Sequence, residues 1–159
     1  MKKYLIFLIV IFTALSCEED VSFNNPSFQG MKDNVFWRAV DSKAFLGSDG
    51  SLIIEGYTGN EVLTLRTTST TAQRYPLGTS NSKTAVYVLT VGADEISFTT
   101  GIGIGSGEIV ITEYDDVNNT ISGTFKFNAE NADGNPLAGD VLNFQQGVFY
   151  KVPISAQVP

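Results

Sequence analysis

One cysteine and no histidine stand among the 159 residues, and this removes most side-chain chemistry at the outset. Histidine is the commonest general base and the commonest metal ligand. Without it, and without a second thiol, the usual nucleophile–base pairs are unavailable. Two carboxylates could cleave a glycoside, but spacing singles out no pair of acids, so no catalytic residues and no cofactor are expected. Gly101-Ile102-Gly103-Ile104-Gly105-Ser106-Gly107 has the glycine content of a phosphate loop. It lacks the Gly-Lys-Ser/Thr that opens a helix. Ile109–Tyr114 after it reads as a strand, so a flexible hairpin connection is expected.

Asp115, Asp116, Asn118 and Asn119 offer oxygen ligands of the kind Ca²⁺ accepts, and Asn131, Asp133 and Asn135 repeat the theme. Gly134 is misplaced for an EF-hand and no Glu closes the loop. Turn chemistry accounts for both segments. No metal is expected, and Asp115, Asp116 and Asn118 are the candidates should one bind. Trp37, Tyr57, Tyr75, Tyr87, Tyr114 and Tyr150 could stack on sugars, but rings in a small all-β domain mostly fill the core. Tyr57 and Tyr75 lie beside turn residues and are the expected exposed platforms and ligand-binding candidates.

The charge balance narrows the partners. Ten basic residues face 17 acidic ones, a net charge of −7. Loss of residues 1–16 would remove Lys2 and Lys3 and no acid, leaving −9. Such a surface repels phosphate backbones, so nucleic acid is not an expected partner.

The single Cys sits in a telling place. Met1-Lys2-Lys3 is followed by the apolar run Leu5–Phe12, of signal-peptide length and too short to span a bilayer. Ala14-Leu15-Ser16-Cys17 then resembles the lipobox of bacterial lipoproteins, with Ala14 where Leu is commoner. The resemblance implies diacylglyceryl transfer to the Cys17 sulfur, cleavage before Cys17 and acylation of the new amine. Two or three acyl chains anchor a protein stably. Glu18-Glu19-Asp20 resembles the surface-export signal of Bacteroidota lipoproteins, which implies an outer-membrane location facing the cell exterior. In that setting the sequon Asn118-Asn119-Thr120 is read as coincidence.

The elements that would position any site are strands. Residues 1–16 read as signal peptide, 17–34 as lipidated Cys and flexible tether, and 35–159 as a single all-β domain. The tether has Asn24-Asn25-Pro26 and Gly30 and no apolar period; as a coil it would reach on the order of 20–25 Å, and the alternative is that Phe23 and Phe28 pack back on the domain. From Val35 onward, helical spacing is nowhere sustained. Thr120–Glu130 alternates strictly, with Ile121, Gly123, Phe125, Phe127 and Ala129 on one face and Gly123 marking a bend or bulge. Glu108–Asp115 should pair with it through the turn at 115–119. Ala85–Val91 is apolar on both faces and reads as a central strand. Further strands are expected at 35–40, 43–46, 51–57, 62–66, 96–99, 141–144 and 148–152, with fraying after Pro153. The expectation is an antiparallel β-sandwich or flattened meander barrel of about nine or ten strands. About 125 residues can form a core without disulfides.

The segments Val35-Phe36-Trp37-Arg38-Ala39-Val40-Asp41, Tyr75-Pro76-Leu77-Gly78, Gly107-Glu108-Ile109-Val110-Ile111, Ile121–Phe127 and Gly147-Val148-Phe149 resemble a family of small all-β Bacteroidota lipoproteins of unknown function. The resemblance covers most of residues 35–152. Ser42 replaces a usual Gly, and the late Gly-x-Phe follows Gln145-Gln146; both touch turns and strand ends. No site residues carry over. The expected role is a tethered, non-catalytic binding module for a glycan, lipid, small apolar or protein ligand. The alternatives are a structural or assembly role at the outer membrane, and a carboxylate-dependent hydrolase.

Overall fold

The computed structural model describes residues 27–136 and 138–156. Residues 1–16, Cys17, the Glu18-Glu19-Asp20 triplet and the tether up to residue 26 lie outside the described residues. The described chain is all-β and contains eleven strands: β1 (Ser27–Lys32), β2 (Val35–Arg38), β3 (Asp41–Leu46), β4 (Leu52–Tyr57), β5 (Glu61–Thr67), β6 (Arg74–Leu77), β7 (Thr84–Val91), β8 (Asp94–Thr99), β9 (Ser106–Asp115), β10 (Thr120–Asn131) and β11 (Val141–Ala156).

All eleven belong to one mixed sheet that folds onto itself as two leaves. The first leaf runs β2-β1-β11-β10-β9-β6, and the second runs β3-β4-β5-β7-β8. Two seams join them. β10 passes from the first leaf to β8 through Glu130 opposite Thr99 and Asn131 opposite Phe98. The end of β11 pairs in parallel with β3, Ile154 to Ala44 and Ala156 to Leu46. The result is a flattened, barrel-like sandwich, and among the described residues closure leaves only β2 and β6 as edges. Both are four residues long, and β6 carries Pro76, a residue suited to an edge because it cannot donate to a ladder.

Alternation explains which residues face inward. On β4, Leu52, Ile54 and Gly56 are buried, and on β5 Leu63, Leu65 and Thr67. On β10, Phe125, Phe127 and Ala129 point in while Thr124, Lys126, Asn128 and Glu130 point out. Between the leaves lies a continuous set of ring contacts. Phe28 meets Trp37 and Phe125 edge-on at 5.8 and 5.3 Å, and Phe144 touches Trp37, Tyr87, Phe125 and Phe127. Each such pair adds about 0.5–1.5 kcal/mol beyond its buried area.

Several expectations are corrected. β1 lies within the expected tether: Phe28 and Gly30 are buried and the strand pairs with β11, so residues 27–34 belong to the folded domain. The signal was weak because one inward position is glycine, placed where a Cβ would sit 3.2 Å from the Gly147 backbone. The two expected terminal strands are one 16-residue strand, β11, which continues past Pro153 instead of fraying there. The chain at 101–107 is no hairpin connection, because β8 and β9 lie in different leaves. It carries the chain across, with φ of +66° at Gly105 and +137° at Gly107. A Cβ there would lie 2.4 Å from the Asn128 carbonyl oxygen and 2.2 Å from that of Lys126, so only glycine permits the approach.

The bulge expected at Gly123 is present, seen as register shifts against both neighbours of β10. A Cβ on Gly123 would come within 2.2 Å of the Val110 carbonyl oxygen and 2.3 Å of the Phe149 ring. Backbone cannot swing aside as a flexible side chain can. Gly123→Ala is therefore expected to destabilise the fold by about 1–3 kcal/mol, whereas Gly59→Ala, with nothing within 4 Å, should stay within about 0.5 kcal/mol. Urea unfolding of both variants checks this, and equal midpoints would refute it.

Candidate functional site

Two polar assemblies stand out, one between the leaves and one on the outer face of the first leaf. The inner one gathers four strands. Lys32 (β1) and Trp37 (β2) reach across from the first leaf to Glu61 (β5) and Tyr87 (β7) in the second. The Glu61 carboxylate accepts hydrogen bonds from Lys32 Nζ, from Trp37 Nε1 and, at 2.6 Å, from the Tyr87 hydroxyl. Lys32 Nζ also donates to the Tyr87 oxygen at 2.7 Å and stands 4.9 Å from the ring centroid. Burial pushes the Glu61 carboxyl up, but the bonds from Lys32, Tyr87 and Trp37 outweigh it and hold the group below its ordinary value. Burial, then the Glu61 hydrogen bond and charge, push the Tyr87 phenol well above its usual range. This knot fastens the leaves together.

The outer assembly lies over β9, β10, β11 and β1. Opposed residues form rows across the strands: Ser106, Asn128 and Asn143; then Glu108 and Lys126; then Val110, Thr124, Val148 and Gln29; then Tyr150 and Ser27. A β-bulge interrupts β11 in the middle of this surface. Phe125 faces Gly147 and Phe127 faces Phe144, so Lys126 alone opposes Gln145 and Gln146. A regular strand would send one of two consecutive side chains inward. Here both Gln145 and Gln146 are exposed, and Gln146 has a left-handed φ of +50°. Bulges of this kind re-aim side chains and recur beside functional sites.

Three depressions follow this surface. One of about 450 Å³ is lined by Asn128, Asn143, Gln145 and Gln146 among others. A second, of about 340 Å³, shares Lys126 and Gln146 with it and reaches Val148. A third, of about 410 Å³, continues from Val148 to Gln29, Ser27 and Tyr150. The charges beside them are paired internally: Glu108 binds Arg74 and, at 3.1 Å, Lys126. The hydrogen bond from Lys126, with Arg74 adding its charge, overcomes partial desolvation and holds the Glu108 carboxyl below its ordinary value. The amides are less engaged. Asn143 Nδ2 donates to Asn128 Oδ1, and no hydrogen bond joins the side-chain amides of Gln145 or Gln146 to any described residue.

The residues singled out by sequence are scattered. Tyr75 is 2% exposed, its hydroxyl 2.8 Å from the Thr71 carbonyl oxygen and 3.0 Å from that of Ser69, so its ring is no surface platform. The Tyr57 ring is half-buried on the outer face of the second leaf. Its hydroxyl donates to Glu55, Lys43 Nζ lies 5.6 Å from its centroid, and burial with the Glu55 bond pushes its pKa up to about 12. The two tyrosines therefore do not form one site. Asp115 closes its hairpin turn, accepting from the Val117 and Asn118 backbone at 3.0 and 2.9 Å and from Asn118 Nδ2 at 2.6 Å. These bonds, the Asn118 side chain first, lower its pKa. Asp116 is exposed beside it. Asn131 braces the β10–β11 connection through the Asn135 and Gly139 carbonyls, and Asp133 accepts from Ser97. Among the described residues no three acidic, Cys or His side chains gather as a metal centre would need.

Sequence reasoning missed both assemblies. The knot joins residues 24 to 55 positions apart. The outer groove did leave a trace, the pair Gln145-Gln146 directly before an expected strand, which breaks the alternation.

An all-β domain with one amide-lined outer groove is the class these observations define. The chain belongs to the family described as Domain of unknown function (DUF6252), whose model matches residues 24–153. That span takes in β1, in agreement with the structure rather than with a tether reaching residue 34. No curated protein and no solved structure matches the chain.

The knot yields a pH prediction. The folded pKa of Glu61 lies below its unfolded value of about 4.3. Its stabilisation is therefore complete above that pH and disappears as the pH falls through the folded value. Glu61→Ala should cost about 3 kcal/mol at pH 7, since it strands Lys32 between the leaves. Glu61→Gln should cost less, and its deficit against wild type should shrink between pH 5 and pH 3, figures set by roughly that unfolded pKa. Denaturant titrations across this range test it, and a deficit constant with pH would contradict it.

Proposed function

We propose that this protein is an outer-membrane lipoprotein of a Bacteroidota-type family, anchored through Cys17, exported by Glu18-Glu19-Asp20 to face the cell exterior, and acting there as a non-catalytic binding module. The observation that carries the binding role is the groove over β9, β10 and β11. A surface with an internal ion pair, and with the exposed Gln145 and Gln146 amides lacking partners among the described residues, is suited to contact with something outside the fold. The non-catalytic reading rests on the sequence, which carries no His and singles out no pair of acids. Support for the anchor is the lipobox-like Ala14-Leu15-Ser16-Cys17. Only nine residues separate Cys17 from Ser27, so an anchored domain would ride close to the membrane.

Cys17→Ala should move the protein from the membrane fraction to the soluble one on cell fractionation, and undiminished membrane retention would sink the lipid anchor. Replacing Glu18, Glu19 and Asp20 with Ala should shield the protein from protease added to whole cells; unchanged cleavage would argue against the export signal. For the binding role, a thermal-shift screen with sugars, lipids and peptides should raise the melting temperature for at least one class. No shift with any class would remove the binding reading.

A further inference from the structure

The groove has a chemistry specific enough to name its ligand class. We infer that the trough over β9, β10, β11 and β1 binds an uncharged glycan chain lying along β11, gripped by the side-chain amides of Asn128, Gln145 and Gln146. This rests on the reading of the protein as a binding module and names what that module takes.

Four observations converge. Carboxamides present a donor and an acceptor together, which matches hydroxyl groups that do the same. Asn128 uses its oxygen on Asn143, leaving its amide nitrogen without a partner among the described residues, and Gln145 and Gln146 have both ends uncommitted. Next, the only charges lining the two depressions around the bulge are Glu108 and Lys126, already paired with each other and with Arg74. A charged ligand would have to compete for or share that cluster, whereas a neutral one need not. The shape is also elongated. The three depressions share residues end to end, and from Asn143 to Tyr150 β11 covers on the order of 20 Å at about 3.3 Å per residue. That suits a chain molecule. At the far end the half-buried Tyr150 ring, with Lys151 Nζ 5.4 Å from its centroid, lines the depression with Gln29 and Ser27. An aromatic body beside polar groups is the pairing that accommodates the apolar patches of a sugar ring.

The bulge supplies independent weight. A left-handed non-glycine residue costs on the order of 1–3 kcal/mol and persists where the surroundings demand it. At Gln146 it aims a second consecutive amide outward. A peptide ligand fits less well, because strand addition needs an open sheet edge, and β9, β10 and β11 each have paired neighbours on both sides.

The test is affinity electrophoresis of the full-length protein in non-ionic detergent. The gels would contain a soluble β-glucan, a galactomannan, a dextran or, as the anionic arm, polygalacturonate. At least one neutral polysaccharide should retard the protein and polygalacturonate should not. Asn128→Ala combined with Gln145→Ala should weaken the retardation about tenfold, since each lost hydrogen bond accounts for roughly two- to tenfold. Gln146→Gly removes the third amide while keeping the left-handed backbone free of strain, so a loss there cannot be blamed on misfolding. Tyr57→Ala, on the opposite leaf, should leave retardation unchanged. No retardation by any neutral polysaccharide, or retardation indifferent to the three amides, overturns the inference. Amide-dependent retardation by polygalacturonate also overturns the neutral-glycan assignment. A lipid or peptide thermal shift without glycan retardation would leave the binding module standing and remove the glycan.

Discussion

β11 has to serve two leaves at once. Its first thirteen residues run along β10, the stretch Phe144–Tyr150 among them is flanked by β1 on the other side, and its last three pair with β3 on the other leaf. A straight strand cannot do this, since the leaves are separate layers around one core. The chain turns at two irregular points, Gln146 and Lys151, both with φ of +50°. Each costs on the order of 1–3 kcal/mol. The cost is offset by what closure buries: Phe144, Phe149 and Val152 on β11 are wholly inside, and Phe144 touches four other rings. Lys151 is further steadied by its backbone N–H donating to Ser122 at 3.1 Å. Ser122 is buried because it sits at the matching irregularity of β10.

The groove is a consequence of that same turn. To bend, β11 inserts an extra residue opposite Lys126, and the insertion turns Gln145 and Gln146 outward together. Inside, Gly147 lies so close to Phe125 that a Cβ would be 2.5 Å from the ring. Packing in the core thus dictates where the surface amides stand. The inner knot works by the opposite logic. Its polar groups are engaged with one another, because between the leaves an unpaired charge would carry a full desolvation cost.

Much of the fold was legible in the residues. The alternation at Thr120–Glu130, the turn at 115–119, the central position of β7 and the bulge at Gly123 all appear where the pattern puts them. β1 and β6 were obscured for particular reasons. β1 buries a glycine at one of its inward positions, and β6 is four residues long with a proline in the middle. Tyr75 sits among turn formers and looked exposed, yet Tyr75 and Leu77 are the inward pair of β6. The groove and the Glu61 knot left almost no trace, because their members are brought together only by pairing.

By itself, then, the sequence determined that the domain is all-β, where most of its strands and turns fall, and that no His is among its residues. Those properties depend on residue type and on alternation within about ten positions, which local sterics and hydrophobic burial govern. The case for Cys17 is likewise wholly a matter of sequence, since it lies outside the described residues. Tertiary structure decided how the leaves close, which rings are buried and which amides share a groove. Such matters turn on contacts between distant residues, as when the Asn143 backbone donates to Asp33 across 110 positions. Only the assembled sheet selects those contacts, because each strand pairing is stabilised by the neighbours already in place.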